Sequence, residues 1–143
     1  MIVIKEVAYG SKEYWQTVSL RDEILRKPLN MTFSDEQLQK EKDDWHLAVF
    51  EGREVLACLI LSPDKGHKVQ MRQVAVKGTS QRKGWGRQLV RYSEQFAGER
   101  GVRKIFCHAR KEAVPFYERL NYKITHGPFL EIGIEHYEME KDL

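Results

Sequence analysis

Residues Val69–Ala97, VQMRQVAVKGTSQRKGWGRQLVRYSEQFA, place a strand, a glycine loop and a helix in direct succession. Met71, Val74 and Val76 give Val69–Val76 the apolar weight of a strand, and Lys77-Gly78-Thr79-Ser80 ends it in turn chemistry. Downstream, Leu89, Val90, Ser93, Phe96 and Ala97 fall on one helical stripe, while Gln88, Arg91, Glu94 and Gln95 face away. Between them Gln81-Arg82-Lys83-Gly84-Trp85-Gly86 carries two glycines, which allow a tight turn and a close backbone approach. A helix that starts there turns free N–H donors and its positive dipole end toward one spot. Arg82, Lys83 and Arg87 add full charges, so the loop reads as an anion site suited to phosphate or pyrophosphate.

Two common phosphate motifs do not fit. In the dinucleotide fingerprint a third glycine stands where this chain has Leu89. The P-loop places lysine after its last glycine, and here Trp85 follows Gly84.

Ile2–Val7 reads as a first strand. Ser11 caps a helix that carries Tyr14, Trp15, Val18, Ile24 and Leu25 and stops near Pro28. Ser34-Asp35-Glu36-Gln37 is a capping box opening a short helix through about Lys42. Asn30, Met31 and Phe33, in the loop between, are packing residues or substrate contacts. Trp45–Phe50 and Glu54–Leu61 form a hairpin across Glu51-Gly52-Arg53, and Ser62–Gly66 turns the chain into the central strand. After the central helix, Arg103–His108 is a strand parallel to Val69–Val76. Glu112–Leu120 is a helix that needs Pro115 in its first turn, and Asn121 is suited to a left-handed cap. Tyr122–His126 and Glu135–Glu140 are the last strands. The expected class is α/β (α+β), one domain spanning 1–143. Its central mixed, mostly antiparallel sheet of six or seven strands is flanked by about four helices, in the order β-α-α-β-β-β-α-β-α-β-β.

The pattern Gln81-x-x-Gly84-x-Gly86, between a strand and an amphipathic helix, resembles the acetyl-CoA motif of the GNAT superfamily of N-acetyltransferases. A second segment, Ala113-Val114-Pro115-Phe116-Tyr117-Glu118-Arg119-Leu120-Asn121-Tyr122, is similar to that superfamily's A-x-x-FYE-x-x-GF run. Asn121 and Tyr122 replace its usual glycine and phenylalanine; asparagine also tolerates the left-handed conformation and tyrosine keeps the ring. The resemblance implies acetyl-CoA as cosubstrate and a primary amine as acceptor, joined by direct attack in a ternary complex. It implies that Val74, Ala75 and Val76 hold the pantetheine arm as an added strand. The N–H groups of Gln81, Arg82, Lys83, Gly84, Trp85 and Gly86 would take the pyrophosphate, and Tyr117 would protonate the departing thiolate. Two departures stand out. Arg110 occupies a position where many members carry asparagine, and Gln70 occupies one where some carry a catalytic glutamate. An amide accepts no proton, which leaves water, Glu131, His108 or His136 as the base. A non-catalytic acyl-CoA-binding module and a nucleotide- or RNA-binding domain are the competing readings.

The bulk composition agrees with a globular protein. The chain has 143 residues, 41% hydrophobic and 31% charged, with a net charge of +3. Nothing in it has transmembrane length or the form of a signal peptide, and Cys58 and Cys107 read as buried free thiols; together these give a cytoplasmic expectation. Beyond Trp85 and Tyr92 no aromatics interleave with the basic residues, so no nucleic acid and no membrane partner are expected, and no metal-ligand spacing is present. Homodimers are common in the superfamily. Glu131, Glu135 and Glu138 read either as solvated residues of the late strands or as a hint of a cationic acceptor.

Overall fold

The computed structural model describes residues 1–143. Seven strands form one sheet: β1 (Ile2–Val7), β2 (Trp45–Glu51), β3 (Glu54–Asp64), β4 (Lys68–Val76), β5 (Lys104–Arg110), β6 (Lys123–Glu131) and β7 (Ile134–Asp142). Their spatial order is β1-β2-β3-β4-β5-β7-β6. Every neighbouring pair is antiparallel except β4 and β5, which the intervening helix makes parallel. Four α-helices cover the sheet: α1 (Lys12–Arg21), α2 (Asp35–Gln39), α3 (Trp85–Glu99) and α4 (Val114–Glu118). The expected class and element order hold.

The two faces of the sheet bury separate clusters. Under α3 lie Leu47, Leu59, Leu61, Met71, Leu89, Phe96 and Ile105. Under α1 lie Val7, Tyr14, Leu20, Phe50, Cys58 and Ala75. The α3 stripe read from sequence, Leu89, Val90, Ser93, Phe96 and Ala97, is the buried one. Gly101, with φ 82°, ends that helix, and the Val102 N–H reaches back to the Ala97 carbonyl at 3.1 Å.

Boundaries shift where local signals compete with tertiary ones. α1 ends at Arg21 and continues as a π-turn, Asp22–Arg26, then a 3₁₀ turn, Lys27–Leu29, so Leu25 and Arg26 turn toward the sheet's open end. Trp15 is half-exposed and belongs to neither core. α2 stops at Gln39, although its capping box forms as read, with Ser34 and Gln37 bonded reciprocally. Pro115 does sit in the first turn of α4, and Asn121 adopts φ 72° behind it. β6 runs to Glu131, well past His126, because it pairs with the whole of β7. No helix is long and apolar enough to cross a membrane.

Under α1 sits one buried ion pair. Arg21 and Glu41 are 1% and 3% exposed. Arg21 donates both terminal nitrogens to the Glu41 carboxylate, one at 2.8 Å, and Tyr14 donates its hydroxyl to the same carboxylate at 3.1 Å. Charges this deep are tolerable only when paired and hydrogen-bonded.

Candidate active site

The site begins at a break in β4. Val69 and Met71 belong to the α3 core, yet Ala75 belongs to the α1 core, and Val74 and Val76 pack back on the α3 side. Strand parity has inverted, which one extra residue accomplishes. The register confirms it: Ile60 faces Arg72 and Cys58 faces Ala75, so three steps on β4 match two on β3. Gln73 takes the strain, with φ 55°. The same spot is where β4 leaves β5. The parallel pairing runs from Lys68–Lys104 to Met71–Cys107 and stops, although β5 continues to Arg110. From Arg72 to Val76 the β5-facing edge of β4 therefore has no strand beside it. A cavity of about 600 Å³ opens in the gap, lined among others by Gln73, Val74 and Tyr117.

The glycine loop lies at the far end of that open edge. Arg82 and Gly84 both have positive φ, 67° and 85°. They curl the chain so that Trp85 starts α3. The backbone N–H groups of residues 82–87 find no acceptor in the protein, the first intrahelical bond being Gln88 N–H to the Gly84 carbonyl at 3.0 Å. Gln81 donates its side-chain amide to the Val76 carbonyl at 3.1 Å, tying the loop to β4. A Cβ on Gly86 would stand 3.2 Å from Val76 Cγ2 and 3.6 Å from the Phe116 ring, so a larger residue there would have to push the Val76 side chain aside by a few tenths of an ångström. Arg82, Lys83, Arg87 and Arg91 are exposed around the loop.

Tyr117 enters from α4 on the opposite side of the gap. Its ring packs edge-on against Phe116 at 5.0 Å and Tyr122 at 5.6 Å, leaving the residue 6% exposed. The Tyr122 hydroxyl donates to Glu94 at 2.9 Å, whereas the Tyr117 hydroxyl has no protein partner and borders the cavity. Burial, and then the neighbouring Cys107, push the Tyr117 pKa well above the usual phenol range. Burial likewise raises the Cys58 and Cys107 thiols to about 12. Both are free thiols, as the sequence indicated, and neither is activated as a nucleophile.

The charged wall of the cavity comes from residues far apart in sequence. His108 Nδ1 donates to Glu131 Oε1 at 2.9 Å, and His136 Nε2 lies 3.7 Å from Glu131 Oε2. His136 Nδ1 donates to the Ile134 carbonyl at 2.7 Å, which orients its ring. His108, Glu131 and His136, read separately from sequence, thus form one cluster. Gln70 lines the cavity beside them. The same lining carries Arg26, Arg72 and Arg110, of which sequence reading noticed only Arg110; Arg110 pairs with His136 across the β5–β7 register. Asn30, Met31 and Phe33 do not reach this space. Phe33 is sandwiched instead between the guanidinium groups of Arg21 and Arg26, at 4.5 and 4.6 Å. The three glutamates do not together line the cavity. Glu135 takes the Tyr137 hydroxyl, Glu138 takes Thr125, and only Glu131 among the acids lines the cavity.

The family model described as the acetyltransferase (GNAT) domain matches residues 17–143, and the chain belongs to that family. Among curated proteins it is 23% identical to the uncharacterized N-acetyltransferase YjcF of Bacillus subtilis, over 95% of this chain and 97% of that one. Its fold is shared with a candidate N-acetyltransferase from Lactobacillus plantarum, at a TM-score of 0.90 and 24% identity over 99% and 98% of the two chains. It is shared too with a GNAT family acetyltransferase from Elizabethkingia anophelis with acetyl-CoA bound, at 0.77 and 18% over 99% and 98%.

Proposed function

We propose that this protein transfers the acetyl group of acetyl-CoA to a primary amine, by direct attack within a ternary complex. The observation that carries the reading is the splaying of β4 from β5 at the Gln73 bulge. It leaves a strand edge for the pantetheine amides to pair with, between a phosphate-ready loop and a free phenol. Acetyl-CoA then lies with its pyrophosphate on the N–H groups of 82–87, its arm along Val74, Ala75 and Val76, and its thioester at the bulge.

The chemistry follows from that placement. The acceptor reaches the cleft as an ammonium ion and gives one proton to Glu131, held by His108. The freed nitrogen attacks the thioester carbon; its lone pair forms the N–C bond, and the carbonyl electrons move onto oxygen. A backbone N–H near Val74 stabilises that oxyanion. Collapse breaks the C–S bond, and the thiolate takes the Tyr117 proton. The new amide nitrogen returns its extra proton to the tyrosinate. Glu131 releases its own proton to water, so an amide and a free thiol leave.

Calorimetric titration with acetyl-CoA, followed by thiol release with an amine panel, tests the reading. Micromolar binding and amine-dependent thiol release are expected. Binding without turnover leaves a non-catalytic acyl-CoA module, and no binding by the folded protein removes the reading altogether.

A further inference from the structure

Three arginines from three separate elements line the cavity. Arg26 comes from the π-turn after α1, Arg72 from β4 just before its bulge, and Arg110 from the end of β5. None of the three has a carboxylate within ion-pair distance, although ten such contacts, His–carboxylate pairs included, are present elsewhere in the molecule. Their hydrogen bonds are few and long: Arg72 to the Ser62 hydroxyl at 3.5 Å and Arg110 to the Leu25 carbonyl at 3.4 Å. Arg26 Nε is buried without any partner. Burial lowers the Arg26 pKa, Arg110, Arg21 and Arg72 lower it further, and Glu131 alone opposes them. Asp44 feels Arg72 but lies outside the cavity lining, and Glu131, the one carboxylate on the lining, accepts from His108 and forms no ion pair with any of the three.

Like charges gathered in a partly desolvated cleft repel, and the cost is recovered only when an anion enters. A guanidinium presents a planar fork of donors that fits the two oxygens of a carboxylate or phosphate. Arg21 shows the paired state within this same protein, forked onto Glu41. Arg26, Arg72 and Arg110 have the donors and lack the acceptor.

We propose that the acceptor amine itself carries an oxyanion, a carboxylate or a phosphate, which Arg26, Arg72 and Arg110 bind while its amino group faces Glu131. This rests on the acetyl-transfer reading and names its substrate class. The charges select as well as bind. A polycationic amine is repelled from the wall that attracts an amino acid or an amino phosphate. Arg110 on this wall also accounts for the departure from asparagine at that position.

The test pairs acceptors that differ only in the anion: glycine against glycinamide, β-alanine against its amide, and O-phosphoethanolamine against ethanolamine, with spermidine as the cationic probe. Acetyl-CoA affinity is measured first by calorimetry. With that binding in place, kcat/KM is expected to be at least about 10-fold higher for one anionic member than for its partner, the value of a charged hydrogen bond. The glycine and β-alanine arms report a carboxylate and the phosphoethanolamine arm a phosphate. In Arg72→Gln and Arg110→Gln variants that still bind acetyl-CoA, the ratio falls toward one, through KM. Acetyl-CoA binding with no anionic acceptor preferred over its partner, or with spermidine preferred, overturns the inference and leaves the transfer reading standing. Absence of acetyl-CoA binding removes both.

Discussion

Tyr117→Phe separates a catalytic from a packing role more cleanly than any other change. The ring contacts with Phe116 and Tyr122 survive in phenylalanine, and the lost hydroxyl had no protein partner. Unfolding free energy is therefore expected to change by less than about 1 kcal/mol, read from urea denaturation. Activity is another matter. Positioned acids supply roughly 10²- to 10⁴-fold. The phenol is the one proton donor positioned there by the fold, so a fall of about 10²-fold or more is expected, or roughly 2.7 kcal/mol of barrier. The rate to follow is single-turnover thiol release from pH 6 to 10, so that slow product release does not conceal the step. Burial holds the phenol protonated over that whole range, and the wild-type profile carries no alkaline loss from Tyr117. A variant that folds, binds acetyl-CoA and keeps its rate within about twofold at every pH refutes the role.

Gly86→Glu sets a carboxylate among the free N–H groups of the loop and pushes a side chain toward Val76 and Phe116; acetyl-CoA affinity by calorimetry should fall at least about 100-fold, while α3 remains helical by circular dichroism. Glu41→Gln leaves Arg21 charged, buried and unpaired, and should cost about 3–5 kcal/mol in urea unfolding, whereas the double change Arg21→Met with Glu41→Leu should cost far less. Alkaline pH should destabilise the fold. Cys58 and Cys107 are raised from 9 to about 12, and Tyr14, Tyr117 and Tyr122 are raised above 10. The folded state therefore holds protons that the unfolded chain loses. Stability is complete below pH 9 and falls from there, by about 1.4 kcal/mol per pH unit for each group that has ionised only in the unfolded chain. Urea midpoints at pH 7, 9 and 10.5 check the slope, and a flat series would contradict the burial of these groups.

What the sequence determined by itself was whatever local chemistry specifies. The Gly84–Gly86 loop, the α3 stripe, the Ser34 capping box and the Asn121 cap depend on residues within a turn or two of one another. The element order followed, and with it the family resemblance. Even the β4 bulge left a local trace, since the apolar positions step from 69 and 71 to 74 and 76. Only the tertiary structure decided what stands opposite what. The parallel pairing of β4 with β5 ends at Met71–Cys107 because the bulge turns β4 aside, and no residue near Met71 announces where its partner stops. His108 and Glu131 meet across 23 positions, and Arg110 reaches the Leu25 carbonyl across 85. The three glutamates of the last strands looked like one acidic surface. Strand pairing set Glu131 and Glu138 on either side of His108, turned Glu135 to Tyr137, and left three arginines on the cavity lining. Charge in sequence counts residues, whereas charge in a site depends on which neighbours the sheet register provides.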